Sequence, residues 1–160
     1  MIHIVGVADM KVSAIRGDLM LTHALGSCLG VAVHDPLVCV GGLLHVMLPL
    51  STIDPEKADR NPFKFVDTGF PKLLMECFKN GAQRQRLEIR VAGGANSHDR
   101  GEDNLFQIGK RNFIILRKLL WKNGLLVTSH DVGGTNARTM SLEIGTGKVT
   151  IRSCGQVKDL

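Results

Sequence analysis

Leu29-Gly-Val-Ala-Val-His34 and Val38-Cys-Val-Gly-Gly-Leu-Leu-His-Val-Met-Leu48 are two apolar runs close together in sequence, and their Val and Leu content between turn-forming residues reads as two strands. Working outward, the same signal marks strands at Ile2–Val7, Leu19–Ala24, Leu87–Ala92, Leu125–His130, Thr139–Ile144 and Val149–Ser153. Gly145-Thr-Gly147 joins the last two as a short hairpin signal. The 18 glycines punctuate these runs and form neither a linker nor a repeat. Two segments read as helices. In Asp67–Lys79, Asp67 or Thr68 caps the start, Pro71 sits in the first turn, Leu73, Leu74 and Phe78 line one face, and Asn80-Gly81 stops the run. In Ile108–Asn123, Phe113, Leu116, Leu119 and Leu120 recur at helical spacing and Gly124 ends it, leaving Lys110, Arg111, Arg117 and Lys118 on a solvated face.

Four strands, a helix, a strand, a helix and three strands make a segregated order. It predicts an α+β fold, a compact single domain of largely antiparallel β-sheets flanked by helices, rather than a doubly wound parallel sheet. Ser51–Asn61 and Asn96–Asn104 read as polar surface loops, and strand signals on both sides of each leave residues 1–160 as one domain. With 160 residues, 44% of them hydrophobic, the chain buries a sufficient core without staples.

The four cysteines, at 28, 39, 77 and 154, form no C-x-x-C pair. MIHIVGVADMK lacks a basic region followed by a long apolar one, so the expectation is a cytoplasmic protein with reduced thiols. Its apolar stretches fall short of the ~20 residues that span a bilayer, and no membrane insertion is expected. The net charge of +5 permits attraction to anionic partners. With basic residues spread along the chain and 4% aromatics, no stacking platform for nucleic acid forms, and no nucleic-acid partner is expected.

Thr22-His-Ala-Leu-Gly-Ser-Cys28 and Gly42-Leu-Leu-His45 place a thiol and an imidazole at the ends of successive expected strands. A cysteine attacks an acyl carbon as its thiolate, so a nearby imidazole must favour the anion; Cys28 and His45 meet that need, and the Thr22 hydroxyl or carbonyl is a candidate to fix the imidazole. Gly26 and Gly30 would let backbone N–H groups approach an oxyanion. Read from the residues alone, a cysteine such as Cys28 beside a glycine turn is more often an inert small hydrophobe, and His45 is equally a satisfied core histidine. His23, Cys28, His34, Cys39 and His45 recur every five or six residues, but structural zinc sites pair ligands two to four apart, and no metal is expected. Ala92-Gly-Gly-Ala-Asn96, Asp131-Val-Gly-Gly134 and Gly145-Thr-Gly147 match neither phosphate-binding pattern, so no nucleotide or other cofactor is expected.

Five ordered motifs carry a resemblance: Leu25-Gly-Ser-Cys-Leu-Gly-Val31, Gly42-Leu-Leu-His-Val-Met-Leu-Pro49, Ala92-Gly-Gly-Ala-Asn96, Ile108-Gly-Lys-Arg-Asn112, and Asp131-Val-Gly-Gly134 followed by Arg138. From about Ile4 to Arg152 the chain resembles the chemoreceptor glutamine deamidase family, CheD. The resemblance implies a fold similar to the catalytic domains of deamidating toxins. It implies a cysteine hydrolase that converts selected glutamines of bacterial methyl-accepting chemoreceptors to glutamate and ammonia, with glutamyl methyl-ester hydrolysis as a second activity. Cys28 then matches the nucleophile, His45 the base and Thr22 the third member. CheC is implied as a restraining partner, and the alternative class is a non-catalytic adaptor that binds receptors or CheC. Two positions depart from the pattern: His23, where relatives carry a small or apolar residue, and Pro71, in a helix that is unbroken in the family. On a strand His23 points away from Thr22, and no direct role is expected of it.

Overall fold

A computed structural model describes residues 1–96 and 107–160. The expected loop at Asn96–Asn104 therefore lies, from residue 97 on, outside the described residues. Two mixed five-stranded sheets stack face to face. The first runs in the order β1 (Ile2–Ile4), β3 (Leu19–Leu25), β8 (Arg138–Glu143), β9 (Val149–Ser153), β10 (Gln156–Asp159). The second runs β2 (Asp9–Ser13), β5 (Val40–Val46), β4 (Leu29–Asp35), β6 (Glu88–Gly93), β7 (Ser129–Val132). Only β1 with β3 and β6 with β7 pair in parallel among the described strands, which bears out the largely antiparallel α+β architecture.

The opening runs become β4 and β5, and every residue of both is buried. The reason is layering. Leu29, Val31, Val33, Leu44 and Val46 face a core shared with α2 (Val66–Lys79) and α3 (Ile108–Lys122), while Ala32 and Leu43 face Met20, Leu25, Met140 and Leu142 of the first sheet. A strand covered on both faces has no polar alternation, hence its continuous apolar reading. The helices use their expected faces, Leu73 and Leu74 on α2 and Leu116 and Leu120 on α3. Lys110, Arg111, Arg117 and Lys118 are exposed, as expected.

Several local expectations are corrected. Ile2–Val7 is not one strand: β1 stops at Ile4, a turn with Ala8 at φ 54° follows, and β2 carries the chain to the second sheet. Ser51–Asn61 contains a short helix, α1 (Pro55–Arg60), whose first turn is capped by the Asp54 side chain accepting from the Lys57 N–H. Helix α2 starts at Val66, because the Leu48 and Pro49 carbonyls accept from the Val66 and Asp67 N–H groups. Asp67 instead accepts from the Ser51 N–H and hydroxyl, and Pro71 lies inside the helix, where it withholds a hydrogen bond from the Asp67 carbonyl. The strand expected at Leu125 starts at Ser129. The N–H groups of Gly124 and Leu125 return to Trp121 and Leu120 to close the end of α3, so Leu125 belongs to the helix terminus.

Candidate active site

His45 sits on β5 between Asp9 of β2 and Gly30 of β4. Alternation along the strand turns its fully buried side chain toward the first sheet, where Nδ1 lies 2.7 Å from Thr22 Oγ1 on β3. The threonine hydroxyl has one proton, and 2.7 Å away is the Val5 carbonyl, which can only accept. The hydroxyl therefore donates to Val5, and the imidazole donates its Nδ1–H to the hydroxyl. This chain fixes the neutral tautomer with the lone pair on Nε2. That nitrogen is buried and has no hydrogen-bond partner among the described residues. Burial also pushes the His45 pKa below the ordinary 6.5, favouring the neutral ring.

Cys28 stands in the turn just before β4, two residues ahead of Gly30, the cross-strand partner of His45. Its half-buried side chain packs against the core between the sheets. Burial raises the thiol above its usual value, with the nearby backbone N–H of the same residue as the smaller, opposing influence. Burial thus favours the uncharged form of each group.

The turn that carries Cys28 is clamped from three directions. The Ala95 N–H donates to the Gly26 carbonyl at 2.9 Å and the Gly94 N–H to the Cys28 carbonyl at 2.8 Å. Between them, Asn112 of α3 donates its Nδ2 to the Ser27 carbonyl at 3.0 Å and to the Met47 carbonyl at 3.0 Å. The approach is close enough that a Cβ on Gly93, whose φ is +108°, would strike the Cys28 carbonyl, and one on Gly109 would strike the Gly94 and Ala95 carbonyls. Arg138 braces the layer behind, donating to the carbonyls of Gly93 at 3.0 Å and Gly133 at 2.8 Å and pairing with Asp131. The motifs quoted from the sequence thus converge on one turn.

Two expectations shift here. The Cβ space of Gly30 is occupied by Met140 Sδ at 2.7 Å and Leu25 Cδ1 at 2.9 Å, so that glycine admits the first sheet rather than a substrate. The Gly26 N–H already donates to Ala24. His23 is exposed at a bulge where β3 uses three steps, Thr22 to Leu25, against two on β8. Of the regularly spaced histidines and cysteines, His34 and Cys39 find other partners: His34 Nε2 donates to the Ile144 carbonyl, and the Cys39 thiol approaches the Pro36 and Gly145 carbonyls. No group of three His, Cys, Asp or Glu capable of holding a metal ion occurs among the described residues. A cavity of about 660 Å³ beside Trp121 and His130 shares no residue with this site.

Asn112, Arg138 and Gly109 lie in the quoted motifs, but the sequence assigns them no task. Asn112 carried the strongest signal, since it lies on the same helical stripe as Leu116 and Leu120; a polar side chain there needs partners.

Fold and site together define a class, a two-sheet α+β protein that joins a hydroxyl to an imidazole between its sheets and packs a half-buried thiol against the same inter-sheet core. Residues 47–153 match the family model for CheD, described as chemotactic sensory transduction. The chain is 48% identical over 157 residues to the probable chemoreceptor glutamine deamidase CheD of Solibacter usitatus, covering 98% of this chain and 92% of that protein. It is 47% identical to the probable chemoreceptor glutamine deamidase CheD 1 of Syntrophus aciditrophicus, covering 95% and 94%. With the corresponding protein of Pyrococcus horikoshii the identity is 38%, over 96% and 93%. The chain belongs to the CheD family. The family-model match begins after His45, whereas an alignment over 98% of the chain takes in the Thr22–His45 segment as well.

Proposed function

We propose that residues 1–160 form one deamidase domain, a cysteine amidohydrolase that converts glutamine side chains of methyl-accepting chemoreceptors to glutamate. The observation that carries the reading is the relay from the Val5 carbonyl through the Thr22 hydroxyl to His45, which leaves a bare, buried Nε2 between the sheets, where Cys28 packs against the same core. The kinship with probable chemoreceptor glutamine deamidases supplies the substrate.

In the reaction, His45 Nε2 takes the Cys28 thiol proton as the sulfur attacks the glutamine carbonyl carbon. The imidazolium then returns that proton to the departing nitrogen, ammonia leaves, and a thioester remains. Water gives a proton to Nε2 and adds to the thioester; the C–S bond breaks, the thiol recovers its proton from the imidazolium, and glutamate is released. The balance is one amide and one water in, one carboxylic acid and one ammonia out. Thr22 holds the ring in the tautomer whose Nε2 is bare before each step. Cytoplasmic residence and restraint by CheC complete the proposal on family grounds.

The test incubates a chemoreceptor cytoplasmic fragment with the wild-type protein or with Cys28→Ala and maps the fragment by peptide mass spectrometry. Site-specific gain of about one dalton per glutamine, absent with the variant, is the expected result. Conversion that persists with Cys28→Ala removes the nucleophile assignment; binding without conversion by the wild type favours the adaptor.

A further inference from the structure

The reaction proposed above needs donors for the oxyanion, and the clamp on the Cys28 turn bears on which groups can serve. A trans peptide is planar, with its C=O and N–H directed oppositely. The carbonyls of Gly26, Ser27 and Cys28 are held inward by Ala95, Asn112 and Gly94. Their peptide planes therefore turn the N–H groups of Ser27 and Cys28 the other way.

The Asn112 amide orientation is unambiguous. Both of its near neighbours are carbonyl oxygens, so the nitrogen and not the oxygen must face them. Asn112 is fully buried, and its Oδ1 has no partner among the described residues. A buried amide that leaves its own acceptor unsatisfied is retained for its two donors. One donor fixes the plane that ends in the Cys28 N–H; the other ties that plane to Met47, two residues past His45.

Resting on the deamidase reading, we infer that Asn112 is a positioning residue that acts through the Ser27 carbonyl to aim the Cys28 N–H at the oxyanion formed on the substrate.

Two variants test it. Asn112→Asp keeps the shape but sets carboxylate oxygens against two carbonyls; Asn112→Ala removes the donors without adding charge and suits the helix. Each is measured for kcat and KM on a receptor fragment, for thermal unfolding, and for Cys28 alkylation by iodoacetamide with exposed Cys154 as internal reference. Alkylation displaces iodide and forms no oxyanion. An oriented oxyanion donor is worth about 10²-fold in rate, so kcat falls by about that factor while KM and the Cys28 to Cys154 alkylation ratio stay within about twofold.

A folded variant with wild-type kcat overturns the inference. So does a parallel fall in kcat and alkylation, which would mean that the asparagine holds the sulfur itself. Failure of both variants to fold at low temperature would make it a fold determinant and overturn the inference too. A wild-type protein that binds the fragment but converts no glutamine refutes the deamidase reading instead, so the two failures are distinct.

Discussion

Thr22→Val is the most direct perturbation of the relay. Valine matches threonine in shape but has neither the acceptor for the His45 Nδ1–H nor the donor for the Val5 carbonyl, both 2.7 Å from the hydroxyl oxygen. Each buried group left unsatisfied costs about 1–3 kcal/mol, and the added apolar methyl recovers part of that. A net loss of about 2–3 kcal/mol in a chain of this length lowers Tm by roughly 4–12 °C. The catalytic effect has a separate origin. Without an acceptor at Nδ1, the tautomer with its proton on Nε2 is no longer disfavoured, and the ring also loses the tether to β3 that orients Nε2; misplacement of a catalytic group costs up to about 10²-fold. The expected outcome is a fall in kcat of between ten- and a hundredfold, read as glutamine-to-glutamate conversion by mass spectrometry below the Tm of the variant. Thr22→Ser retains the hydroxyl and should keep most of the rate. Folded Thr22→Val with activity within twofold of wild type would refute the tautomer argument, and so would Thr22→Ser as slow as Thr22→Val.

Three further outcomes follow from the same geometry. Because burial raises the Cys28 thiol, its alkylation in the resting protein should inflect above the ordinary value of 9.0 and at pH 7 lag behind exposed Cys154; competitive iodoacetamide labelling checks this, and a fast plateau for Cys28 at neutral pH would indicate a preformed thiolate. Because burial lowers the His45 pKa, the base stays competent below pH 6.5: the acid limb of kcat/KM should lie under that value, and a limb above it contradicts the neutral buried ring. Gly109→Ala forces a Cβ onto the Gly94 and Ala95 carbonyls, and overpacking of this kind costs about 1–3 kcal/mol. The expected result is a lower Tm together with a reduced kcat, because the displaced loop is the one that holds Cys28; unchanged kcat would show that the turn does not depend on it.

What could be read in advance was decided by where each residue finds its partners. Strands β4 and β5 and helices α2 and α3 draw on a continuous apolar run or a one-sided stripe, and both are legible along the chain. Strand β10 is exposed at all four positions and has no hydrophobic pattern to read; only Cys154-Gly155, both with positive φ, marks its hairpin. Strand β2 hides because Met10 and Val12 are only half-buried at a sheet edge. The early start of α2 depends on carbonyls at Leu48 and Pro49, which become neighbours only after folding. Helix α1 could have been read, since Asp54-Pro55 is a cap followed by a first-turn proline. The site divides the same way. Cys28, His45 and Thr22 follow from chemistry and resemblance, but the Val5 carbonyl that settles the tautomer has no side chain to announce it.

The electrostatics of the pair also constrain how such a site operates. A thiolate and an imidazolium created at rest would both have to be held in a buried layer, and the described surroundings lower the energy of neither charge enough to outweigh desolvation. The neutral pair avoids that penalty. In the proposed reaction the proton moves only as the sulfur attacks, when negative charge passes from sulfur to an oxygen that backbone N–H groups can receive. Charge separation is thereby tied to the presence of an acyl carbon, and a fixed donor direction matters more here than in a site with a standing thiolate. This is why the three inward-held carbonyls of the Cys28 turn, rather than the thiol pKa, should govern the rate: they fix the direction of the N–H groups before any charge exists for those groups to stabilise.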